Sequence, residues 1–443
     1  MSSARNRELT ALVPVAILLT AGFAAVFAQE GTRLDNLSLI YGAYFLAVCV
    51  ATHVYLRIRL PDADPYLFPL VALLTAFGLV MIYRIDDALA RDQANWFVLG
   101  LVLFALTIQF LREYEVLERY RYTIAAAGLL LLLAPRLPGV GQQVNGAYLG
   151  VKIGPLAFQP AEFSKIAIVV FLASYLRENR EVLIVGARRV LGVTLPPLKH
   201  FGPMLVVWGA SMFMLVFIRD LGSSLMFFAA FLALLYVATG RFSFVVIGMA
   251  MFTVGAWFFA STVPHVGDRV EIWLNPYNDP SEKGYQILQS IFAQADGGLF
   301  GKGFGQGLIT IPGTHSALLP AAQTDTIYSL IVNEVGLFGA CAVILIYLLI
   351  AARGFKIALL ANDGFSKLLA TGLTAVFSIQ AFVIIGGVTR VIPLTGVTLP
   401  FISYGGSSIV ANFVLLALLL MISDRARREA MQPRGRALSL GEA

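Results

Sequence analysis

Long apolar runs separated by short polar segments make up most of this chain. A membrane-spanning helix needs about 17–25 predominantly apolar residues. By that measure the pattern predicts twelve spanning helices, near 9–28, 37–56, 66–83, 95–111, 121–134, 162–176, 203–218, 221–238, 243–263, 326–352, 367–388 and 407–422. The first run has the length of a signal peptide, but a second full span follows it directly, so we expect it to be retained. The predicted fold class is an all-α integral membrane protein, a polytopic helical bundle.

Composition supports this class and argues against several others. Hydrophobic residues make up 58% of the chain and charged residues only 13%, against roughly 25% charged residues in soluble domains. Cys49 and Cys341 both lie inside apolar runs, so the sequence indicates neither a disulfide framework nor a thiolate metal site. The four histidines show no metal-ligand spacing, and a built-in metal centre is not expected.

Lys and Arg residues are unevenly divided between the connections that join the predicted spans. If both termini are cytoplasmic, 21 of the 32 Lys and Arg residues fall in inner segments, including the tail after residue 424. Cytoplasmic loops of membrane proteins carry such an excess. The sequence therefore predicts a protein of the cytoplasmic membrane that has both termini inside, with segment 264–325 on the extracytoplasmic side.

The predicted outer segment at 264–325 is long, and loops of that length are usually functional. Within it, KGYQILQSIFAQ places Tyr285, Leu288 and Phe292 on one helical face, which predicts a helix on the membrane surface or against the bundle. The glycine-rich stretch DGGLFGKGFGQG follows. Its N–H groups and Lys302 suit contact with a phosphate, while plain loop flexibility is the alternative.

A second polar cluster lies in the sixth predicted span, in FQPAEFSK. Pro160 suits the first turn of a helix, and Glu162 complements the positive helix end. Lys165 follows three residues later on the same face, so the two charges can neutralise each other. An ionisable residue within a span costs ~2.5–3.5 kcal/mol on insertion scales, which makes it a candidate functional residue. An ion pair that only fixes helix packing is the competing interpretation.

Three further polar features lie at the outer ends of predicted spans. Asp220 in RDLGSS precedes the eighth span, where capping of the helix is a simpler explanation than catalysis. The stretch 387–408 mixes prolines, glycines and hydroxyls at membrane depth, which is tolerated where backbone lines a cavity, so we predict a pocket wall. Asp325 stands just before the tenth span, and it either caps that helix or performs chemistry at the membrane surface.

Five of these stretches together resemble one protein family. FQPAEFSK, RDLGSS, the segment from Arg269 to Gly307, LLPAAQTDTIYSLIVNEVGLFG and LPFISYGGSS occur in the order and spacing seen in the SEDS proteins of shape, elongation, division and sporulation. The resemblance covers roughly residues 64–424. It implies a ten-helix membrane core that polymerises the lipid-linked disaccharide lipid II into peptidoglycan outside the cytoplasmic membrane, in cell elongation or division, with a leaning towards elongation.

The family motifs imply roles for particular residues. Asp325 falls on the family's essential aspartate and is the expected general base, because a base must take the proton of the attacking sugar hydroxyl. The acidic and basic pair and the arginine of the large outer loop fall on Glu162, Lys165 and Arg269. Lys302 and Arg390 are added as cations for the departing phosphates, so the residues expected to bind substrate are Glu162, Lys165, Arg269, Lys302 and Arg390. Those expected to support the site are Asp220, Gln159, Ser403 and Ser407.

The resemblance also implies how the chain is divided and what it binds. Residues 1–60 supply two spans with no counterpart in the ten-helix core, residues 61–424 form the catalytic core, and residues 425–443 form a basic cytoplasmic tail. No cofactor is expected to be intrinsic, although a divalent cation, Mg²⁺ or Mn²⁺, can assist at the pyrophosphate. Expected partners are lipid II, the bilayer and a class B penicillin-binding protein that supplies the transpeptidase; nucleic acid is not expected.

The sequence departs from the family pattern beside the essential aspartate. Where the family usually has Pro-Glu-x-His-Thr-Asp, this chain has PAAQTD, so Ala321 and Gln323 stand in place of an acid and a histidine. Asn333 replaces the first residue of a Glu-Glu pair, and Arg390 occupies a position where the family tends to have a small residue. These changes weigh against a mechanism that needs the neighbouring acid or histidine as a metal ligand or proton relay.

Two other classes of function are alternatives. A flippase or transporter of lipid-linked precursor is expected to show inverted repeats and charged or broken helices near the midplane, whereas this sequence has no internal repeat and gathers its polar clusters at the outer ends of spans. A purely structural scaffold has no need of Glu162, Lys165 and Asp325 together. Polymer synthesis from lipid II distinguishes the glycosyltransferase from both.

Overall fold

The computed structural model describes residues 2–30, 36–111, 113–144, 147–153, 156–185, 220–307 and 318–431, with short stretches at 188–190, 193–195 and 309–310 and isolated residues between 202 and 218. Helices dominate this part of the chain. In chain order they are α1 Ser2–Ala11, α2 Val13–Glu30, α3 Asn36–Arg59, α4 Leu67–Ile85, α5 Asp87–Phe110, α6 Val116–Arg119, α7 Arg121–Leu133, α8 Pro160–Val185, α9 Leu221–Thr239, α10 Phe242–Thr262, α11 Pro264–Leu274, α12 Tyr285–Gly297, α13 Ile327–Leu360, α14 Gly364–Val388 and α15 Gly406–Met431.

The chain is a multi-pass membrane protein. Within the described residues, eight helical segments are long and apolar enough to cross a membrane, namely Ala4–Val26, Leu67–Ile85, Asp87–Phe110, Leu221–Thr239, Phe242–Thr262, Ile327–Leu360, Gly364–Val388 and Gly406–Met431. Helices α3, α7 and α8 coincide with three more of the predicted segments. The remaining predicted segment, 203–218, lies largely outside the described residues, so the total of twelve stays a prediction.

Several helices extend beyond the apolar runs that predicted them. Helix α5 begins at Asp87, eight residues before the predicted start at 95, because Asp86 caps it by accepting the N–H groups of Ala88 and Leu89. Helix α8 likewise continues to Val185, past the predicted end at 176. Polar residues at a helix end carry no hydropathy signal, so an apolar window finds the span but not the helix boundary.

Short β-strands occupy two connections, which the helical pattern did not predict. Strands β1 Gly141–Val144, β2 Ala147–Ile153 and β3 Leu156–Phe158 form an antiparallel sheet just before α8, and β4 Arg188–Val190 pairs with β5 Val193–Leu195 after it. The dipeptides Asn-Gly at 145–146 and Gly-Pro at 154–155 are turn signals that the hydropathy analysis did not use. Among the described residues, the spanning segments are all α-helical, as predicted.

The best-buried helices, α14 and α15, form the centre of the bundle. Phe413 of α15 packs edge-on against Phe97 and Phe104 of α5, and Gly100 leaves room for its ring, since an added Cβ would lie 2.6 Å from the Phe413 ring. Helix α10, by contrast, buries only Phe244 and lies at the periphery. The close helix contacts thus concentrate around α14 and α15, next to which the polar groups described below are found.

A buried ionic contact joins the N-terminal helices to the rest of the bundle. Arg5 of α1 is hydrogen-bonded to Glu8 and to the carbonyl oxygen of Ala63, and Glu8 Oε1 lies 2.7 Å from Nδ1 of His53 in α3. The side chains of Arg5, Glu8 and His53 are all buried. Buried charges are stable only when paired, so these contacts fix how α1 and α3 sit on the segment that precedes α4.

Helix α12 is the surface helix predicted from KGYQILQSIFAQ, and it packs against α13. Its buried face carries Ile287 and Leu288, while Phe292, which was expected on the same face, is exposed. Ser290 Oγ lies close enough to Ser329 Oγ for a hydrogen bond across the two helices. The prediction of a helix packed on the bundle is confirmed, with the buried face displaced from the one expected.

Helix α13 is broken at Gly336, where the glycine-rich stretch crosses it. Gly336 has φ 69°, and the N–H groups of the next two residues, Leu337 and Phe338, donate to the carbonyls of Gly298 and Leu299 at 3.0 and 3.2 Å. Within a membrane every freed backbone group needs a partner. The glycine-rich stretch provides those partners, so it satisfies the backbone N–H groups that the break in α13 leaves free.

Candidate active site

Lys165 is the centre of a buried polar cluster near the start of α8. Its ammonium donates hydrogen bonds to Glu162 Oε2 at 2.6 Å, Gln380 Oε1 at 2.7 Å and Asn412 Oδ1 at 3.1 Å. An ammonium has three donors, so all are used, and the residue is only 1% exposed. The ion pair with Glu162 is present as the sequence suggested, and the cluster also ties α8 to α14 and α15.

Gln380 connects this cluster to the segment 387–408. Its side-chain amide donates to the carbonyl of Thr398 at 3.0 Å and to Glu162 Oε1 at 3.3 Å. The sequence analysis did not single out Gln380. A usable signal was present, because an amide inside the apolar run FSIQAFVII needs partners at membrane depth.

Asp220 caps α9, in agreement with the simpler of its two interpretations. Its Oδ1 accepts the N–H of Ser223 at 2.9 Å, and its Oδ2 accepts the Ser223 hydroxyl at 2.6 Å. Burial raises the pKa of Asp220, the nearby Glu162 carboxylate raises it further, and the hydrogen bonds from Ser223 lower it. Asp220 therefore lies within electrostatic range of the Lys165 cluster.

Asp325 is held in the turn that precedes α13. The N–H of Thr326 donates to the carbonyl of Ala321 at 3.2 Å, and the Thr326 hydroxyl donates to the carbonyl of Pro320 at 2.7 Å. Ala321 has φ 53°, a left-handed conformation that is uncommon for alanine. Thr326 occupies the cap position of α13 and no side chain caps the helix there. The helix-cap interpretation of Asp325 is thus wrong.

The segment 387–408 anchors this turn from the opposite side. Ser403 Oγ donates to the carbonyl of Thr324, the residue just before Asp325, at 2.8 Å. Ser407 Oγ accepts the N–H of Gln159 at 2.8 Å, beside the start of α8. Through these hydroxyls one segment fixes both the turn of Asp325 and the entrance to the Lys165 cluster, which is a supporting arrangement of the kind expected for Ser403, Ser407 and Gln159.

The Asp325 carboxylate is partly buried and ionises less readily than an ordinary aspartate. Burial raises its pKa to about 6, while Arg269 and a hydrogen bond from Thr324 lower it. The Oδ2 atom lies against Gly396, where an added Cβ would be 3.6 Å away. A carboxylate whose pKa is near the working pH is a better general base than one that ionises near pH 4.

Arg269 of α11 interacts electrostatically with two carboxylates. Its Nη1 donates to the carbonyl of Leu394 at 2.8 Å. Burial lowers the pKa of Arg269, and the charges of Asp325 and Asp220 raise it. Arg269 is therefore within electrostatic range of Asp325 and of Asp220, which in turn is within range of Glu162 in the Lys165 cluster.

Comparisons with known proteins identify the family of this chain. Residues 65–428 match the family model of FtsW, RodA and SpoVE, described as cell cycle proteins. That match covers well over half of the 443 residues. The chain belongs to this family.

Individual family members match over most of their length. The peptidoglycan glycosyltransferase RodA of Mycobacterium tuberculosis is 40% identical over 96% of this chain and 91% of the relative. The probable peptidoglycan glycosyltransferase FtsW of Geobacter metallireducens is 31% identical over 80% of this chain and 92% of the relative. The alignment with the mycobacterial protein is thus the longer of the two.

Solved structures of the family share the fold. A chain of a peptidoglycan synthase complex, studied for the coordination of polymerization and crosslinking, is 28% identical with a TM-score of 0.65 and covers 84% of this chain and 99% of its own. The rod shape determining protein RodA of Thermus thermophilus is 25% identical with a TM-score of 0.58 over 84% of this chain and 98% of its own. The membrane bundle described above is therefore the family's bundle.

Lys302, which the sequence analysis proposed as a phosphate contact, is not brought together with Asp325. Its side-chain ammonium pairs with Asp296, and its backbone N–H donates to the carbonyl of Asn333 at 2.9 Å. Asn333 follows Asp325 by eight residues, which corresponds to ~12 Å along a helix. Lys302 therefore stands beside the break in α13, away from the carboxylate.

The glycine-rich stretch uses its N–H groups internally. Glu334 accepts the N–H of Gly305 at 3.0 Å and that of Gly307 at 3.3 Å, and it forms an ion pair with Arg84 of α4 at 2.8 Å. The N–H of Gly303 donates to the Glu334 carbonyl. These glycines are engaged by α13 and do not form an open phosphate cradle. Arg84 is a residue that the sequence analysis missed.

Arg390 closes the C-terminal end of α11. Its Nε donates to the carbonyl of Trp273 at 2.7 Å and its Nη2 to that of Leu274 at 2.5 Å, while Trp273 Nε1 donates back to the Arg390 carbonyl at 3.1 Å. A cation is favourable at the negative end of a helix. Arg390, where the family tends to have a small residue, thus holds α11 against the segment 387–408.

Proposed function

We propose that this chain is a peptidoglycan glycosyltransferase that polymerises lipid II at the outer face of the cytoplasmic membrane. Family membership and the names of its relatives support the reaction class. The observation that carries the assignment to residues is the position of Asp325, partly buried beside Arg269, with its pKa raised to about 6.

The reaction extends a glycan by one glycosidic bond. A sugar hydroxyl oxygen attacks the anomeric carbon of a lipid-linked sugar, the bond from that carbon to the pyrophosphate oxygen breaks, and polyprenyl pyrophosphate leaves with the bonding electrons. The hydroxyl proton passes to the Asp325 carboxylate, which acts as general base. Negative charge develops on the leaving pyrophosphate, so a cation placed beside it lowers the barrier.

Arg269 is the cation best placed for that charge. It has donors beyond the one used on Leu394, and it lies beside Asp325. Lys165 was the strongest candidate by sequence, but its three ammonium hydrogens are already engaged. We propose that Lys165 and Glu162 act as positioning residues, because through Gln380 they hold the segment that lies against Asp325.

Lys302 and Arg390 are proposed only as outlying contacts for substrate. Both guanidinium contacts of Arg390 go to the end of α11, and the Lys302 ammonium pairs with Asp296. Either cation can meet a long lipid-linked substrate away from the reacting atoms. Neither is assigned a part in bond formation.

A resident metal ion has no evident set of ligands. Within the described residues there is no group of three or more His, Cys, Asp or Glu side chains that could hold one, so no step is assigned to it. A Mg²⁺ or Mn²⁺ ion that accompanies the pyrophosphate as part of the substrate stays a proposal. Loss of polymer on chelation and its return on addition of Mg²⁺ would support that proposal.

The cellular setting is part of the same proposal. The distribution of Lys and Arg supports cytoplasmic termini and an extracytoplasmic Asp325. The solved peptidoglycan synthase complex supports a transpeptidase partner, a class B penicillin-binding protein. The higher identity to RodA than to FtsW supports a role in elongation.

The test is synthesis of glycan from lipid II by the purified full chain with its partner protein. Asp325→Asn keeps the size and polarity of the side chain but removes the base, and we expect the initial rate to fall by about 10²–10⁴-fold, the usual contribution of a general base. Asp92→Asn, at an exposed acidic residue of α5, is the matched control and should retain the wild-type rate. Undiminished polymer from Asp325→Asn contradicts the base assignment, and translocation of lipid II without polymer supports a flippase instead.

A further inference from the structure

A cavity lies beside the proposed active site, along the described part of the 264–325 segment. It has a volume of about 240 Å³ and is enclosed by α11, the start of α12 and the segment from Gly387 to Leu394. Its polar and aromatic lining consists of His265, Asp268, Arg269, Trp273, Lys283 and Gln286. Those from α11 follow a spacing of three or four residues, so one face of this short helix is turned into the cavity.

The lining combines an aromatic ring with polar groups that suit a sugar. The indole N–H of Trp273 is used on the Arg390 carbonyl, so the ring offers its apolar surface, against which the C–H face of a pyranose can lie. Lys283 Nζ and Asp268 Oδ1 pair at 2.8 Å and together present a donor and acceptors for hydroxyl groups. Mostly apolar walls with a few fixed polar groups are typical of small-ligand pockets.

Gln286 adds an amide that no described residue uses. Among the described residues its side chain makes no hydrogen bond, although it lines the cavity and is partly buried. An amide can donate and accept at once, as the hydroxyl and acetamido groups of amino sugars require. The side chain is therefore available for an occupant of the cavity.

The cavity and Asp325 both adjoin one short stretch of backbone. Leu394 lines the cavity and accepts the hydrogen bond of Arg269, while Gly396, two residues later, lies against the Asp325 carboxylate. Arg269 itself faces both places. A molecule that fills the cavity is consequently held next to the reacting centre without occupying it.

We propose that this cavity is a subsite for one pyranose unit of the glycan strand, adjacent to the bond-forming position. The proposal rests on the glycosyltransferase function and adds a hold on the polymer between successive additions. A strand gripped at a second place dissociates more slowly, so the subsite sets the length of the product. It contributes little to the first coupling of two lipid II molecules, which have no strand to hold.

The test uses the full chain with its partner protein and fluorescent lipid II. Trp273→Ala removes the stacking surface and Gln286→Ala removes the free amide. We expect the mean product length to fall by about tenfold for Trp273→Ala, the factor that follows from a loss of ~1.4 kcal/mol in holding the strand, and by less for Gln286→Ala. The initial rate of the first coupling is expected to stay close to wild type.

Two further variants separate sugar binding from folding. Trp273→Phe keeps an aromatic face and is expected to restore long products, which a merely structural loss of the indole hydrogen bond would not allow. Glu271→Gln changes an exposed residue of the same helix and is expected to give wild-type lengths. Soluble oligosaccharide fragments of peptidoglycan are expected to shorten the products of the wild type more than those of Trp273→Ala.

The outcomes separate this proposal from the one on which it rests. Unchanged product lengths in Trp273→Ala and Gln286→Ala, with a wild type that makes polymer, overturn the subsite alone. Shorter products that are accompanied by weaker co-purification of the partner protein overturn it in favour of a docking surface for that partner. A wild type that makes no polymer overturns the glycosyltransferase function, and the subsite with it.

Discussion

Asp325 and Arg269 show how single side chains set the conditions for the reaction. Burial raises the pKa of Asp325 to about 6 from an ordinary value of 3.8. Because the folded pKa is above the unfolded one, this group favours the folded state at low pH, and that contribution is lost as pH rises from about 4 to about 6. At neutral pH the ionised carboxylate therefore opposes folding, a common cost of an active-site group.

Removal of Arg269 is expected to move the pH dependence of polymer synthesis. The wild-type rate should rise with pH through about 6, where Asp325 becomes the free base. Arg269 lowers that pKa, so Arg269→Gln should shift the rise to higher pH by roughly one unit or more, as expected for loss of a neighbouring opposite charge. Initial rates measured across about pH 5–8 give the pH at which the rate reaches half its maximum, independently of any loss in the maximal rate itself. If the rate of Arg269→Gln reaches half its maximum at the same pH as the wild type, the interaction of Arg269 with Asp325 is contradicted.

At the scale of elements, the broken helix α13 and the glycine-rich stretch form one unit. Gly336 adopts φ 69°, and a Cβ there would lie 2.3 Å from the Gly301 nitrogen. Glu334 and Arg84 then fasten the same stretch to α4. The glycines that suggested a phosphate cradle are needed because two backbones approach closely where α13 is interrupted.

Gly336→Ala is expected to destabilise the protein strongly. The substitution adds a strained backbone conformation, which alone costs ~1–3 kcal/mol, and a clash with the backbone of Gly301. The midpoint of thermal unfolding in detergent, followed by the loss of soluble monodisperse protein, should fall. Gly42→Ala is the matched control, since Gly42 lies in α3 with only Leu19 Cδ2 near, at 3.8 Å. An alanine at 336 that is as well tolerated as one at 42 would show that the break is not required.

At the scale of the whole molecule, two buried charge clusters lie in different parts of the bundle. Glu162, Lys165 and Asp220 form the first cluster, and Arg269 interacts electrostatically with both Asp220 and Asp325. Arg5, Glu8 and His53 form the second cluster, next to Ala63 just before α4 begins. The first cluster can be tested by its effect on catalysis, whereas the second is expected to matter for assembly of the bundle.

Glu8→Ala should therefore separate stability from activity. It leaves Arg5 and His53 buried without their shared carboxylate, and loss of one partner of a buried ion pair typically costs ~3–5 kcal/mol. We expect a lower thermal midpoint but a near-normal rate of polymer synthesis well below that midpoint. Glu113→Ala, at an exposed acidic residue, provides the control. A large loss of rate in folded Glu8→Ala protein would show that the N-terminal helices act on the active site itself.

The sequence by itself determined the membrane class, the family and the identity of Asp325, Glu162 and Lys165 as unusual charges. These follow from local properties, because hydropathy and motif order depend only on residues close together in the chain. It also found α12, although not its buried face.

The tertiary structure alone decided which of the candidate charges meet. The sequence offered Lys302, Arg390 and Arg269 as candidate cations for the substrate, but of these three only Arg269 interacts electrostatically with the Asp325 carboxylate. Likewise Gln380, 215 residues after Lys165, completes that ammonium's hydrogen bonds. Such contacts between distant residues depend on how helices cross and where a helix breaks, and local hydropathy predicts neither.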